Sequence, residues 1–123
     1  MLFRSVDFVL LATTTFHRVA DQVAASIGIP LLHLADVLAE ACTAQGVTSV
    51  GFLGTTFAMS RGFFVDRLAS HGITVHVPAE EHHAELNRII YEELVAVRVL
   101  DASRRTVVGL IEQLWDEIGR AHV

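Results

Sequence analysis

The sequence contains no lysine; all nine of its basic residues are arginine. With abundant alanine and valine, this points to a gene of high GC content and bears on no chemistry. There is one cysteine, Cys42, which excludes an internal disulfide and any metal site built from several thiolates. No stretch is basic, and the formal net charge is −5, so no nucleic-acid surface is expected. The longest apolar run, Phe8–Ala12, falls far short of the roughly 18 residues that a membrane-spanning helix needs. Arg4 and Asp7 interrupt the start, and no apolar region with a small-residue cleavage site follows, so the expected location is cytoplasmic. Neither a phosphate-binding glycine loop nor a nucleophile elbow occurs. What remains is 52% hydrophobic and only 19% charged over 123 residues, the composition of a folded chain with a modest core.

Periodicity gives a regular alternation. Asp7–Ala12 reads as a buried strand, and Phe16, Val19, Ala20, Val23, Ala24 and Ile27 have the 3-4 spacing of an amphipathic helix that Gly28 and Pro30 terminate. Pro30–His33 is a short strand. Asp36 is positioned to cap a helix with Val37, Leu38, Ala41 and Cys42 inward, ending at Gly46. Val47–Leu53 is a strand running into Gly54, Thr55 and Thr56. Ser60 is expected to cap a helix carrying Phe63, Phe64 and Leu68 inward and stopping at His71–Gly72. Ile73–Val77 is a strand closed by Pro78, and Glu80–Leu94 a helix with Leu86, Ile89, Ile90 and Leu94 on one face. Ser103 caps a last helix whose Val107, Leu110, Ile111, Leu114 and Trp115 would face water unless a further strand covers them. The alternation implies an α/β fold of βαβ units with a parallel sheet. Two parts are expected, residues 6–46 and 47–116, each opening with a strand that runs into a threonine-rich turn.

The ends read differently. Glu117–Val123 resembles a translation of GAG ATC GGA AGA GCA CAC GTC, and Met1–Ser5 matches GTG CTC TTC CGA TCT with GTG read as a start codon. Both stretches match the two arms of a sequencing-library adapter, so residues 1–5 and 117–123 are expected to be foreign. The native segment is then an internal piece, cut at both ends.

In parallel α/β sheets, ligands bind at the carboxyl ends of strands. Two turns occupy that place. In the first, Thr13, Thr14 and Thr15 precede Phe16 and His17, and consecutive hydroxyls beside free helix N–H groups suit a carboxylate or phosphate. The competing reading is that the threonines merely finish the strand and cap the helix while His17 packs in its first turn. Thr55 and Thr56 offer the same pair of readings. Glu81, His82, His83 and Glu85 look like a metal cluster, but they do not share the i, i+4 face of helical zinc sites and read as a solvated helix side; no metal is expected. His33 and His76 lie at strand ends as core or loop residues, and Cys42 as an inert core thiol.

Taken together, Phe8–Asp21 (FVLLATTTFHRVAD), Ile29–Asp36 (IPLLHLAD), Val50–Met59 (VGFLGTTFAM) and Phe64–Leu94 resemble the aspartate/glutamate racemase family, in its order and spacing. The resemblance implies two similar α/β domains, with the site in the cleft between them. Two opposed residues, commonly cysteines, exchange the α-proton of a small amino acid without pyridoxal or any other cofactor. The family's Cys/Thr-Asn-Thr-x-His motif falls on Thr13-Thr14-Thr15-Phe16-His17. Thr13 would be the first acid/base residue, Thr14, Thr15 and His17 substrate-binding residues, and Thr55 and Thr56 part of the facing loop. No nucleic acid or membrane partner is implied, and the parent is expected to be a homodimer.

The departures are specific. Thr13 stands where cysteine is commoner, and a hydroxyl is a much poorer proton acceptor than a thiolate. Thr14 replaces the usual asparagine, Thr56 a frequent arginine and Ala58 a frequent second threonine. The family's second catalytic cysteine, in a Gly-Cys-Thr-Glu context, is not in these 123 residues, so the chain by itself is expected to be inactive. The rivals are a decarboxylase or hydantoin-racemase-like enzyme of the same superfamily and a non-catalytic carboxylate-binding domain.

Overall fold

A computed structural model describes residues 6–60 and 62–121. They fall into two compact units, residues 6–48 with 62–73 and residues 49–60 with 74–121.

The first unit starts with strand β1 (Val9–Leu10), a 3-10 turn (Thr15–Val19) and helix α1 (Ala20–Ser26). Strand β2 (Leu31–Leu32) pairs parallel with β1, Val9 opposite Leu31 and Leu10 opposite Leu32. Helix α2 (Leu34–Ala44) follows, and helix α4 (Phe63–Ala69) packs on it. The buried face of α2 is Ala35 and Ala39, one helical turn apart, and such small residues let α4 approach closely with Phe64 and Leu68, both buried. This corrects the expected face: Val37 and Leu38 are largely exposed, and Cys42 is half-buried rather than a core thiol. Asp36 is not the cap of α2 either. The helix begins two residues earlier, and His33 Nδ1 accepts the Ala35 N–H at 3.1 Å.

Asp36 instead takes a two-pronged contact from Arg67, Nε to Oδ1 and Nη2 to Oδ2, each 2.8 Å. His71 Nε2 lies 2.7 Å from Oδ1, and Arg67 also reaches Asp21 at 3.3 Å. The network ties α1 and α2 to α4 and to His71, two residues beyond its end. The Arg67 and His71 contacts hold the Asp36 carboxyl well below the usual carboxylate range. Both partners are about a third exposed, so the pair is worth nearer the ~0.2–1 kcal/mol of a surface bridge than a buried one. Burial, with the Arg67 charge and His17 beside it, pushes His33 below the ordinary histidine value.

Both shifts act on stability in one direction, because the unfolded chain binds each proton more readily. The His33 contribution is present above about pH 6.5 and fades below it. The Asp36 contribution is present above about pH 3.8 and is lost as pH falls further. Urea midpoints measured from neutral pH down to about pH 3 should therefore fall in two stages, and Asp36→Asn should remove the lower one. A midpoint that rises on acidification contradicts this.

The second unit holds strand β3 (Ser49–Gly51), helix α3 (Thr56–Ser60), strand β4 (Thr74–His76), a 3-10 turn (Glu80–His82) and helix α5 (His83–Arg88). A π-helical turn (Ile89–Leu94) continues α5, and the long helix α6 (Asp101–Ala121) follows. Strands β3 and β4 pair parallel, Ser49 with Thr74 through Gly51 with His76. Among the described residues each of the four strands pairs on one edge only. The buried core is Ala58, Met59, Leu86, Ile89, Leu110 and Leu114.

The last helix starts at Asp101, so Ser103 is a buried interior residue and not a cap. Leu110 and Leu114, expected to face water, are buried; α6 packs on β3, where a Cβ on Gly51 would come within 3.2 Å of Leu114 Cδ1. Ile111 and Trp115 do remain exposed. Glu117–Ala121 continues α6, whereas Met1–Ser5, expected to be foreign, lie outside the described residues, as do His122 and Val123. No described helix is long and apolar enough to cross a membrane.

Three helical segments end in the same way. Gly46, Gly72 and Val97 each have positive φ, at 71°, 81° and 59°. In each case the N–H of that residue bonds three residues back and the next N–H bonds five residues back, the Schellman arrangement. Glycine adopts this conformation freely. For a β-branched residue it costs about 1–2 kcal/mol, and Val97 is 89% exposed, so its side chain recovers nothing by burial. Val97→Gly should raise the melting temperature by a few degrees even after the added entropy of the unfolded chain. A lower melting temperature would show that Val97 makes a contact that the exposed position conceals.

Candidate active site

Thr13 follows β1 and stands outside any helix, and Thr55 follows β3. Both therefore lie beyond the carboxyl ends of parallel strands, where ligands of α/β sheets collect. The two turns differ in what their hydroxyls do.

Thr13 and Thr15 are exposed and Thr14 half-buried. Thr14 takes the cap position of the 3-10 turn in helical geometry, with no side-chain capping bond. Among the described residues none of the three hydroxyls is hydrogen-bonded, so the capping reading does not account for them. The turn is held by its backbone. His17 N–H donates to Thr14 O at 3.1 Å, and His17 Nδ1 lies 2.8 Å from Thr13 O.

His17 is buried at 4% exposure, and both its ring nitrogens are engaged. The Leu34 N–H donates to Nε2 at 3.1 Å. Nε2 must then be unprotonated, and Nδ1 carries the hydrogen that Thr13 O accepts. The ring stands edge-to-face against His33, centroids 4.7 Å apart, and against Phe64 at 6.5 Å. Both nitrogens of His17 are thus engaged within the chain.

The second turn is engaged in structure. Thr55 caps α3: its hydroxyl accepts the Ala58 N–H at 3.2 Å and its carbonyl the Met59 N–H at 3.0 Å. The Thr56 N–H donates to Asn87 Oδ1 at 2.9 Å, and its hydroxyl to His83 O at 3.3 Å. Helix α3 is thus a short extra helix ending at Ser60, whose hydroxyl bonds back to Thr56 O; the expected helix with Phe63, Phe64 and Leu68 is α4, and Gly62 rather than Ser60 stands at its cap. Thr55 keeps one hydroxyl proton free to donate, as a capping oxygen only accepts.

Other candidates are dispersed. His83 is buried with Nε2 donating to Pro78 O at 2.7 Å, so it is not part of a solvated side. Glu81 is exposed beside His82, 3.5 Å away, and Glu85 pairs with Arg88 at 2.7 Å. Among the described residues no three His, Cys, Asp or Glu side chains come together as a metal set. His33 caps α2, and His76 ends β4 with a buried Nε2 that has no partner among the described residues. One further residue takes part that no motif marks. Asn87 fixes the Thr56 backbone, though its only signal was a polar residue beside the apolar stripe of a helix.

A family model of the Asp/Glu/hydantoin racemases matches residues 3–123. Among solved structures, the chain is similar to a Yersinia pestis protein assigned as an Asp/Glu racemase, at 38% identity and a TM-score of 0.86, over 91% of this chain and 49% of that one. It is similar also to an aspartate racemase homologue from Pyrococcus horikoshii, at 33% identity and a TM-score of 0.82, over 93% of this chain and 50% of that one. The chain thus spans about half the length of these relatives. With parallel βα units and a hydroxyl-rich turn after its first strand, it belongs to the Asp/Glu/hydantoin racemase family.

Proposed function

We propose that the chain supplies one catalytic face of a cofactor-independent amino-acid racemase acting on aspartate or glutamate. The observation that supports this reading is the trio of unengaged hydroxyls at Thr13, Thr14 and Thr15 beyond the carboxyl end of β1. Hydroxyls free of internal bonds can donate to a substrate carboxylate without first breaking a protein contact. In this reading Thr14 and Thr15 hold the α-carboxylate, and Thr13 carries the proton exchanged with Cα on its face.

Racemisation needs a second proton carrier on the opposite face. Cys42, the one thiol, lies on α2 and not beyond a strand, so it is not that carrier, and in this reading the 123-residue chain alone is inactive. The parent acts as a homodimer in the cytoplasm.

One feature favours a second reading. A threonine hydroxyl hands over a proton more readily than it takes one up. That suits a decarboxylase, in which loss of carbon dioxide leaves a carbanion that only needs protonation. Incubation of the full natural chain with aspartate, glutamate, a hydantoin and an arylmalonate separates the readings. Interconversion of aspartate or glutamate enantiomers on a chiral column supports the first; carbon dioxide release from the malonate with both amino acids untouched supports the second.

A further inference from the structure

We infer that His17 is a positioning residue, which sets the Thr13 turn through its Nδ1–H and does not touch substrate. The inference rests on the proposed role of Thr13 and goes beyond it. The imidazole bridges two backbone groups from separate parts of the first unit: the Thr13 carbonyl at 2.8 Å and the Leu34 N–H at 3.1 Å, the latter 17 residues away and at the first residue of α2. His33 and Phe64 stand against the ring edge-to-face, so the ring cannot turn to offer a nitrogen elsewhere without breaking both bonds. Drawing the Thr13 carbonyl inward to a buried donor fixes that peptide plane. Thr13 itself remains exposed, so a fixed peptide leaves its hydroxyl aimed out of the turn. The Leu34 bond references the whole assembly to α2, whose Ala35 and Ala39 are among the best buried residues.

The two ring nitrogens can be tested separately, because asparagine places its amide near the Nδ1 position and glutamine reaches the Nε2 position. His17→Asn keeps a donor for Thr13 O, whereas His17→Gln keeps an acceptor for Leu34 N–H and leaves Thr13 O without its partner. In the full natural chain, both variants should lower the melting temperature by similar amounts, since both remove the ring. Turnover should separate them. His17→Gln is expected to lose kcat on the order of 10²-fold at nearly unchanged KM, as misplacement of a reacting group does, while His17→Asn stays within several-fold of wild type. Equal kcat losses in the two variants would reduce His17 to a packing role, and a rise in KM alone would make it a substrate contact; either result overturns the inference.

A second measurement does not depend on turnover. In ¹⁵N NMR of the histidine rings, the wild type should show the Nδ1–H form for His17, and the amide shifts of Thr13–Thr15 should move more in His17→Gln than in His17→Asn. An Nε2–H form, or equal movement, contradicts the inference even if no substrate is ever turned over. Absence of turnover in the wild type with the expected NMR pattern would instead count against the proposed function alone.

Discussion

Leu68→Ala is expected to destabilise the first unit by about 2–5 kcal/mol, the range for a buried leucine truncated in a packed core. Leu68 has no exposed surface; it lies on α4, which packs against α2 and the 3-10 turn of His17. The small α2 residues Ala35 and Ala39 cannot expand to refill the space, and collapse of α4 onto them would strain the Arg67–Asp36 contact that spans the same pair of helices. The loss would be a large fraction of a typical total stability of roughly 5–15 kcal/mol. Urea unfolding should show a lower midpoint in Leu68→Ala, while Val97→Gly moves the midpoint the other way. A loss below about 0.5 kcal/mol, the range of surface substitutions, would mean that α4 is not the keystone of this unit's core.

The second large effect is on chemistry. Thr13→Ala should reduce α-proton exchange in the full natural chain by about 10²–10⁴-fold, the usual contribution of a general acid or base. Stability should hardly change, because Thr13 is exposed and its hydroxyl makes no internal bond. Thr13→Cys should exchange faster than the wild type, since a thiolate accepts a proton far more readily than a hydroxyl. Wild-type rates in Thr13→Ala would remove Thr13 from the mechanism. Thr55→Ala offers a contrast: loss of a helix cap costs about 0.5–2 kcal/mol, so a stability change should accompany any kinetic one there.

Fold class was legible because the signal is periodic. The apolar runs at Phe8–Ala12 and Val47–Leu53, alternating with 3-4 patterns, sufficed for parallel βα units, and Gly46 and Gly72 do stop their helices. What was not legible depends on tertiary partners. The face of α2 was misread because Val37 and Leu38 are more apolar than Ala35 and Ala39, yet close approach of α4 selects the small residues. Asp36 looked like a cap and is an ion-pair anchor, since Arg67 lies 31 residues away in sequence. Among the site residues, the two threonine turns were visible as motifs, but no local pattern distinguishes the unengaged hydroxyls of Thr13–Thr15 from the capping hydroxyl of Thr55 and the Thr56 hydroxyl bonded to His83 O. The role of His17 was hidden for the same reason: its Nε2 partner is a backbone N–H far along the chain.

The most direct measurement of the central claim is deuterium incorporation at Cα of aspartate and glutamate by the full natural chain in deuterated water, followed by ¹H NMR without added cofactor. The account predicts loss of the α-proton signal from at least one of the two amino acids, with appearance of its other enantiomer. Retention of the α-proton in both amino acids, with an enzyme shown to be folded, would contradict it.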